Sequence, residues 1–130
     1  RLEGLTKFYR SKILISQSTY EFIDSESSFE FRELDLVKVK GKDEPVTIFE
    51  VCNSDREPIR EQKLGSREKF AEALKDYRSQ KWTAAMTKFK NCLKQCPEDG
   101  AAELYLERCK FFKETPPPKD WKGEQVFTQK

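Results

Sequence analysis

The stretch Lys38-Val39-Lys40-Gly41-Lys42-Asp43-Glu44-Pro45-Val46 lies between two apolar runs and decides the fold of the first half of the chain. Apolar residues spaced by two in the first run predict a strand from about residue 29 to 40, and the second run predicts a strand over 46–51. Glycine and proline between them predict the turn of a β-hairpin. Because the apolar phase changes within the first strand, we expect a bulge or bend there. The turn presents lysines, which favour an anion.

The residues upstream of the hairpin predict a helix, a short strand and a second short helix. Apolar side chains at helical spacing indicate that residues 1–9 are the end of an amphipathic helix. The run from Lys12 to Ser16 predicts a strand. Ser18 is the predicted N-cap of one or two helical turns that end at Ile23.

The stretch 53–65 contains Pro58, Gly65 and mixed charges without apolar periodicity, which predicts a linker between two independently packed units. The expected division is residues 1–52, the linker 53–65, a helical unit 66–113 and a proline-rich tail 114–130. The first unit mixes helices with an antiparallel hairpin, and the second is an all-α helical hairpin with a capping helix. The expected fold class is therefore α+β.

Three helices are expected in the helical unit. Ser66 is the predicted N-cap of the first, and Asp99 or Gly100 opens the third. The first two resemble one tetratricopeptide repeat in the residues Ala73, Trp82, Ala85, Phe89, Cys92 and Pro97. In the tail, Trp121 either docks back onto the helices or, with the three prolines before it, forms a ligand for an aromatic groove.

Charge and composition limit the classes of function. The 130 residues carry a net charge of +2, with 37% charged and 36% hydrophobic residues, as in a soluble globular protein. Residues 1–52 carry 8 basic and 10 acidic residues, and residues 67–113 carry 11 and 7, so neither half predicts nucleic-acid binding. No apolar stretch approaches the roughly 20 residues that span a bilayer, so we expect no membrane contact by this segment.

The chain contains no histidine, which excludes a Ser-His or Cys-His nucleophile pair and any His-ligated metal within it. Its four cysteines form no CxxC pair and are predicted to be reduced, buried small hydrophobes. The alternative is a metal site of three cysteines, Cys92, Cys96 and Cys109.

Several motifs between Arg1 and Val51 resemble, in order and spacing, the end of a class III nucleotide cyclase catalytic domain. These motifs are Arg1-Leu2-Glu3-Gly4-Leu5, Ile13-Leu14-Ile15-Ser16, Phe31-Arg32-Glu33-Leu34-Asp35, the Lys-Gly-Lys turn at 40–42 and Val46-Thr47-Ile48-Phe49-Glu50-Val51. They cover about the last third of such a domain, so we expect a fragment of a larger enzyme. One departure from the family pattern is Arg10, which stands where a glycine is common.

The resemblance implies roles for three residues. In such cyclases the ribose 3′-hydroxyl attacks the α-phosphate and pyrophosphate leaves, so the protein must supply positive charge to the phosphates. By resemblance Arg1 stabilises the transition state and Lys40 binds the triphosphate, with Lys42 as the weaker phosphate-binding candidate. Taken alone, the same lysines are surface residues of a turn and Arg1 is an ordinary terminal residue.

The resemblance also implies ATP as the substrate, with GTP as the second choice, and Mg or Mn held by paired aspartates. Those aspartates are missing from this chain, so no metal-ligating residue is assigned here. We expect the isolated chain to bind no metal cofactor and to make no cyclic nucleotide. The parent enzyme is expected to be a cytoplasmic homodimer of cyclase domains with its sites at the subunit interface, and a membrane anchor in an upstream region stays open.

Two hypotheses of other classes compete with the cyclase interpretation. In the first, residues 66–113 form a tetratricopeptide-like module that recruits a protein partner or supports cyclase dimerisation. In the second, the chain is a stand-alone anion-binding protein, which fits less well because the first half begins within a helix.

Overall fold

The computed structural model describes residues 2–23, 26–39 and 44–127. Its helices and its four-stranded mixed sheet confirm the expected α+β class. The helices are α1 (Thr6–Tyr9), α2 (Gln17–Phe22), α3 (Ile59–Gly65), α4 (Arg67–Arg78), α5 (Trp82–Gln95) and α6 (Gly100–Glu114), and 3-10 turns cover Leu2–Leu5 and Cys52–Ser54. The strands are β1 (Leu14–Ser16), β2 (Phe31–Val39), β3 (Val46–Val51) and β4 (Gln125–Phe127). Within the described ranges, every helix is too short or too polar to span a bilayer.

The predicted hairpin is confirmed as the β2–β3 pair of a sheet with the strand order β1-β3-β2-β4. β3 lies antiparallel to both β1 and β2, and Val37 pairs with Val46 next to the turn. The register shifts between Glu33 and Asp35, so the predicted bulge is also confirmed. Residues 40–43 of the turn lie outside the described residues.

The start of α2 differs from the prediction. The Ser16 hydroxyl accepts a hydrogen bond from the Thr19 N–H at 3.3 Å, which makes Ser16 the N-cap. The predicted cap, Ser18, is therefore wrong by two residues. Ser16 also ends β1, so one residue closes the strand and opens the helix.

The expected linker 53–65 contains helix α3, which ends directly before α4. Lys63 of α3 is only 2% exposed, although its segment has no apolar periodicity. Ser66 lies at the junction, where its hydroxyl bonds the carbonyl oxygens of Gln62 and Lys63 and makes no side-chain cap to α4. Ser66 therefore occupies the predicted N-cap position of α4, but its side chain does not cap the helix. Apolar periodicity does not indicate α3, because its buried side chain is a lysine held by ion pairs and not an apolar residue.

Sheet and helices contribute to one hydrophobic cluster. The sheet supplies Leu34, Val37 and Ile48, all 0% exposed. The helices supply larger side chains, of which Phe70, Tyr77, Phe89 and Tyr105 are fully buried. The cluster thus contains residues from both expected units, 1–52 and 66–113. Their independent folding stays a prediction.

The tail docks back onto the helices through Trp121, the first of its two expected alternatives. The Trp121 ring centroid lies 5.3, 5.8 and 5.1 Å from those of Tyr77, Trp82 and Phe112. Its indole N–H also donates to the Glu124 carbonyl oxygen at 3.0 Å.

Beyond Trp121, the tail forms β4 and pairs parallel with the end of β2. Val37 pairs with Gln125, and Val39 pairs with Phe127. The sequence does not predict a strand at Gln125–Phe127, because three residues are too few to show a period of two. The tail therefore joins the helices to the last residues of β2.

Candidate functional site

The three residues predicted to bind phosphates, Arg1, Lys40 and Lys42, lie outside the described residues. The structure describes the elements next to them. The turn Leu2–Leu5 follows Arg1 and leads into α1, while Lys40 follows directly after the end of β2. The geometry of the candidate site therefore depends on what holds α1 and β2 together.

Asp35 joins these two elements. It lies at the bulge of β2, is 0% exposed, and accepts hydrogen bonds from the Tyr9 hydroxyl in α1 and from Arg108 in α6. The Arg108 nitrogen Nη1 lies 2.8 Å from the shared carboxylate oxygen, and the Leu36 N–H donates to the other oxygen at 2.7 Å. A buried carboxylate needs such donors to offset its lost hydration. We call Tyr9, Asp35 and Arg108 the Asp35 bridge.

Aromatic side chains surround the Asp35 bridge. The Arg108 guanidinium carbon lies 5.0 Å from the Tyr105 ring centroid and 5.7 Å from that of Tyr9, and the Tyr105 hydroxyl donates to the Leu34 carbonyl at 2.7 Å. Burial, with the charge of Asp35, raises the pKa of both Tyr9 and Tyr105. Burial alone would lower the pKa of Arg108, but Asp35 raises it. The phenols therefore stay neutral and the guanidinium stays charged near neutral pH.

A second buried network connects β2, β3, α3 and the start of α6. Two Arg32 nitrogens bond the two carboxylate oxygens of Asp99, at 2.7 and 3.1 Å. The Arg32 nitrogen Nη2 lies 2.6 Å from a Glu50 oxygen, and the guanidinium carbon lies 4.1 Å from the Phe70 ring centroid. We call this set the Arg32 network; its ionised members are Arg32, Glu50, Asp55, Lys63 and Asp99.

Glu50 occupies the centre of the Arg32 network. Its Oε2 accepts hydrogen bonds from the Lys63 ammonium at 2.7 Å and from the Ser11 hydroxyl at 2.6 Å, and Lys63 also bonds Asp55 at 2.8 Å. Burial alone would raise the pKa of Glu50, but Arg32 and Lys63 lower it to about 2. Each charge in the network has a partner of opposite sign, so these groups hold elements in place and offer no free base or nucleophile.

The cysteines take no part in either network as ionised groups. All four are free and buried, which confirms the expectation for them. Burial raises the pKa of Cys52 to about 11 and those of Cys92 and Cys109 to about 12, so the thiols stay protonated. In the part of the chain that the structure describes, no group of three or more Cys, Asp and Glu side chains is placed to hold a metal ion.

Arg10 closes α1 in the left-handed conformation, with φ 52°. Glycine adopts this conformation at the least cost, which gives a physical reason for the glycine that is common here in the pattern of class III cyclases. The Arg10 side chain forms an exposed ion pair with Glu103 of α6. Gly100 allows this approach, since a Cβ there would lie only 2.6 Å from the Arg10 Cβ and 3.0 Å from the Tyr9 carbonyl oxygen.

The sequence pattern gives no individual role to Arg108, and Arg32 and Asp35 enter it only as members of one motif. Arg32 carried a usable signal, because it lies two residues before Leu34 and so shares its inward phase along the strand. A charged residue at an inward position predicts a buried partner. Asp35 carried no such signal, because the bulge turns it to the buried side next to Leu34.

The chain is similar to the terminal-differentiation specific adenylate cyclase of Dictyostelium discoideum. The two are 36% identical over 110 residues, which cover 84% of this chain and 5% of that protein. This chain is related to adenylate cyclases. It is also 50% identical over 52 residues to an adenylate cyclase of Anabaena cylindrica, covering 39% of this chain and 10% of that protein. No family model matches the chain, and no solved structure matches it.

The chain thus spans only a small part of the length of these two relatives. Because 84% of it lies in the match with the Dictyostelium adenylate cyclase, the matched region must cross from the sheet into the helices. The similarity to an adenylate cyclase is therefore not confined to the hairpin, and it extends into the helices.

Proposed function

We propose that this chain is a C-terminal fragment of a class III nucleotide cyclase that converts ATP to the 3′,5′-cyclic nucleotide and pyrophosphate, and that residues 1–52 are the end of its catalytic domain. The observation that carries the proposal is the similarity to an adenylate cyclase across 84% of the chain. The cyclase motifs between Arg1 and Val51 are consistent with it. GTP is the second choice of substrate.

This chain contributes two positively charged side chains to the reaction. Arg1 stabilises the α-phosphate as it becomes pentavalent, and Lys40 binds the outer phosphates of ATP. Lys42, two residues further along the turn, is the weaker phosphate-binding candidate.

Mg or Mn would neutralise phosphate charge in the whole enzyme. The resemblance to class III cyclases implies paired aspartates as its ligands, and we propose that these belong to a part of the enzyme outside this chain. The isolated chain is then inactive. The whole enzyme acts as a cytoplasmic homodimer whose subunits both contribute to each site.

The kinetics of the full-length enzyme test the assigned roles. Arg1→Ala should lower turnover by about 10²–10³-fold with little change in KM, as for the loss of one donor to a developing negative charge. Lys40→Ala removes a contact made before and during the reaction, so the KM for ATP should rise first. Lys12→Ala, an exposed lysine of the same half, is the control. Normal turnover of Arg1→Ala would remove Arg1 from the site.

Complementation tests the shared site. A heterodimer pairs an Arg1→Ala subunit with a subunit that lacks its metal aspartates. Both lesions fall in one site, so we expect about half of the activity of the wild-type dimer, whose symmetry gives it two equivalent sites. An inactive heterodimer would contradict a site built from both subunits.

Protein binding by residues 66–113 is a second candidate function. Phe111 on α6 is 61% exposed, which makes it a residue of this unit at which such a contact can be tested. Sedimentation of the full-length enzyme as Phe111→Ser, compared with Lys110→Ser, measures whether this residue supports the dimer. Unchanged sedimentation would leave dimerisation to the cyclase domain.

A further inference from the structure

The Asp35 bridge joins three segments that are far apart in the sequence. Tyr9 belongs to α1, Asp35 to β2 and Arg108 to α6, and both Tyr9 and Arg108 bond the same oxygen of Asp35. A shift of α6 would therefore move Arg108 and disturb the Asp35 carboxylate, which accepts the hydrogen bond from Tyr9 of α1.

Burial makes this connection stiff. Tyr9 is 1% exposed, Asp35 is 0% exposed, and the Arg108 side chain is 11% exposed. Water cannot readily replace a lost partner at such a depth, so an unpaired carboxylate is costly and the three side chains keep one arrangement.

The position of the bridge relates it to the proposed catalytic residues. α1 continues from the turn that begins directly after Arg1, and Asp35 lies on the strand whose last residue precedes Lys40. The bridge thus connects the two elements that lie next in the sequence to the proposed transition-state arginine and triphosphate lysine.

The tail strand reaches the same two elements by another route. Phe127 of β4 contacts Phe8 of α1, with ring centroids 4.9 Å apart, while the backbone of β4 pairs with Val37 to Val39 of β2. Two separate sets of contacts from the C-terminal half therefore converge on α1 and the end of β2.

We propose that Arg108 is a positioning residue for the cyclase reaction, which fixes α1 relative to β2 through Asp35 and Tyr9. This inference rests on the proposed function and extends it, because it makes α6 a part of the catalytic unit. Arg108 does not touch ATP in this proposal. Its loss lets α1 and β2 shift relative to each other, so the two proposed phosphate contacts no longer fit one substrate molecule.

Steady-state kinetics of the full-length enzyme with Mg-ATP test the proposal, with rates expressed per folded enzyme. Arg108→Met should lower turnover by roughly 10- to 100-fold and raise the KM for ATP, because small misplacements of catalytic groups have effects of this order. Arg108→Lys keeps the positive charge towards Asp35 and should recover part of the loss. Tyr9→Phe removes only a hydroxyl and should change both parameters in the same direction, by less.

Lys88→Met is the matched control. It breaks the ion pair between Lys88 and Asp76, which is 2.7 Å long and lies within the helical half. A merely structural role for Arg108 would lower the folded fraction and leave the KM of the folded enzyme unchanged, as in this control. The proposal would be overturned if Tyr9→Phe and Arg108→Met had the same KM and turnover as the Lys88→Met control.

Arg1→Ala and Lys40→Ala in the same assay distinguish a failure of the positioning role from a failure of the proposed function. If they impair catalysis while the bridge variants do not, only the positioning role fails. If they have no effect, the proposed function fails and the positioning role fails with it.

Discussion

Two nitrogens of Arg32 in β2 bond the two carboxylate oxygens of Asp99 at the start of α6, in a pair that is almost completely buried. Asp99 has a second role, because its Oδ1 also accepts a hydrogen bond from the Ala102 N–H and so caps α6. One side chain thus sets both where α6 begins and where it sits against the sheet. The pair matters for the position of α6, and hence for the placement of Arg108.

Substitutions of Asp99 separate its two roles. Asn caps helices about as well as Asp but carries no charge, so Asp99→Asn should cost about 3–5 kcal/mol, as for one lost partner of a buried ion pair. Asp99→Ala should cost about 1 kcal/mol more, because the cap is lost too. Urea unfolding measures both. Glu57→Gln, in an exposed pair with Arg60, is the control, and equal losses in Asp99→Asn and Glu57→Gln would contradict the role of the buried pair.

Stability should fall in acid because of Glu50. Its pKa is lowered from 4.5 to about 2 in the folded chain, so its stabilising contribution is complete above pH 4.5 and is lost as the pH falls towards 2. Glu50→Gln removes the group that titrates. Between pH 5 and pH 2 the free energy of unfolding of the wild type should therefore fall more steeply than that of Glu50→Gln. Parallel pH profiles of the two proteins would contradict a pKa of Glu50 that folding lowers.

The docking of Trp121 should protect the tail strand. Trp121→Ala removes the contacts with Tyr77, Trp82 and Phe112, and we expect faster amide hydrogen exchange in β4 as a result. Lys119→Ala, at an exposed tail position, is the control. Unchanged exchange in Trp121→Ala would show that the strand pairing with β2 holds the tail without the indole.

Truncation tests the division of the chain into units. The sequence alone predicts that residues 66–113 fold without residues 1–52. The common hydrophobic cluster and the two buried networks predict instead that the helical unit depends on residues 1–52. In a truncated chain of residues 66–130, Asp99 and Arg108 have lost their partners. We expect α6 of this truncated chain to exchange its amide hydrogens faster than in the whole chain. Equal protection of α6 in both chains would support independent units.

Local sequence patterns predicted the elements whose signal is repeated several times along the chain. The hairpin and its bulge followed from apolar spacing in β2, and the long helices α4, α5 and α6 followed from apolar periodicity. The segment of α3 was missed, because its buried side chain is a lysine and not an apolar residue. The strand β4 was missed, because it is too short to show a period.

The sequence by itself therefore determined the α+β class, the hairpin and the three long helices, since each depends on side chains close together in the chain. Only the tertiary structure decided that Arg32, Asp35 and Glu50 are buried, that Trp121 covers the helices, and that α6 bonds to β2. A charge can be buried only where a partner of opposite sign offsets its lost hydration. The partner of Arg32 is Asp99 and that of Asp35 is Arg108, so each partner lies more than half the chain away and meets its ion only when the whole chain folds.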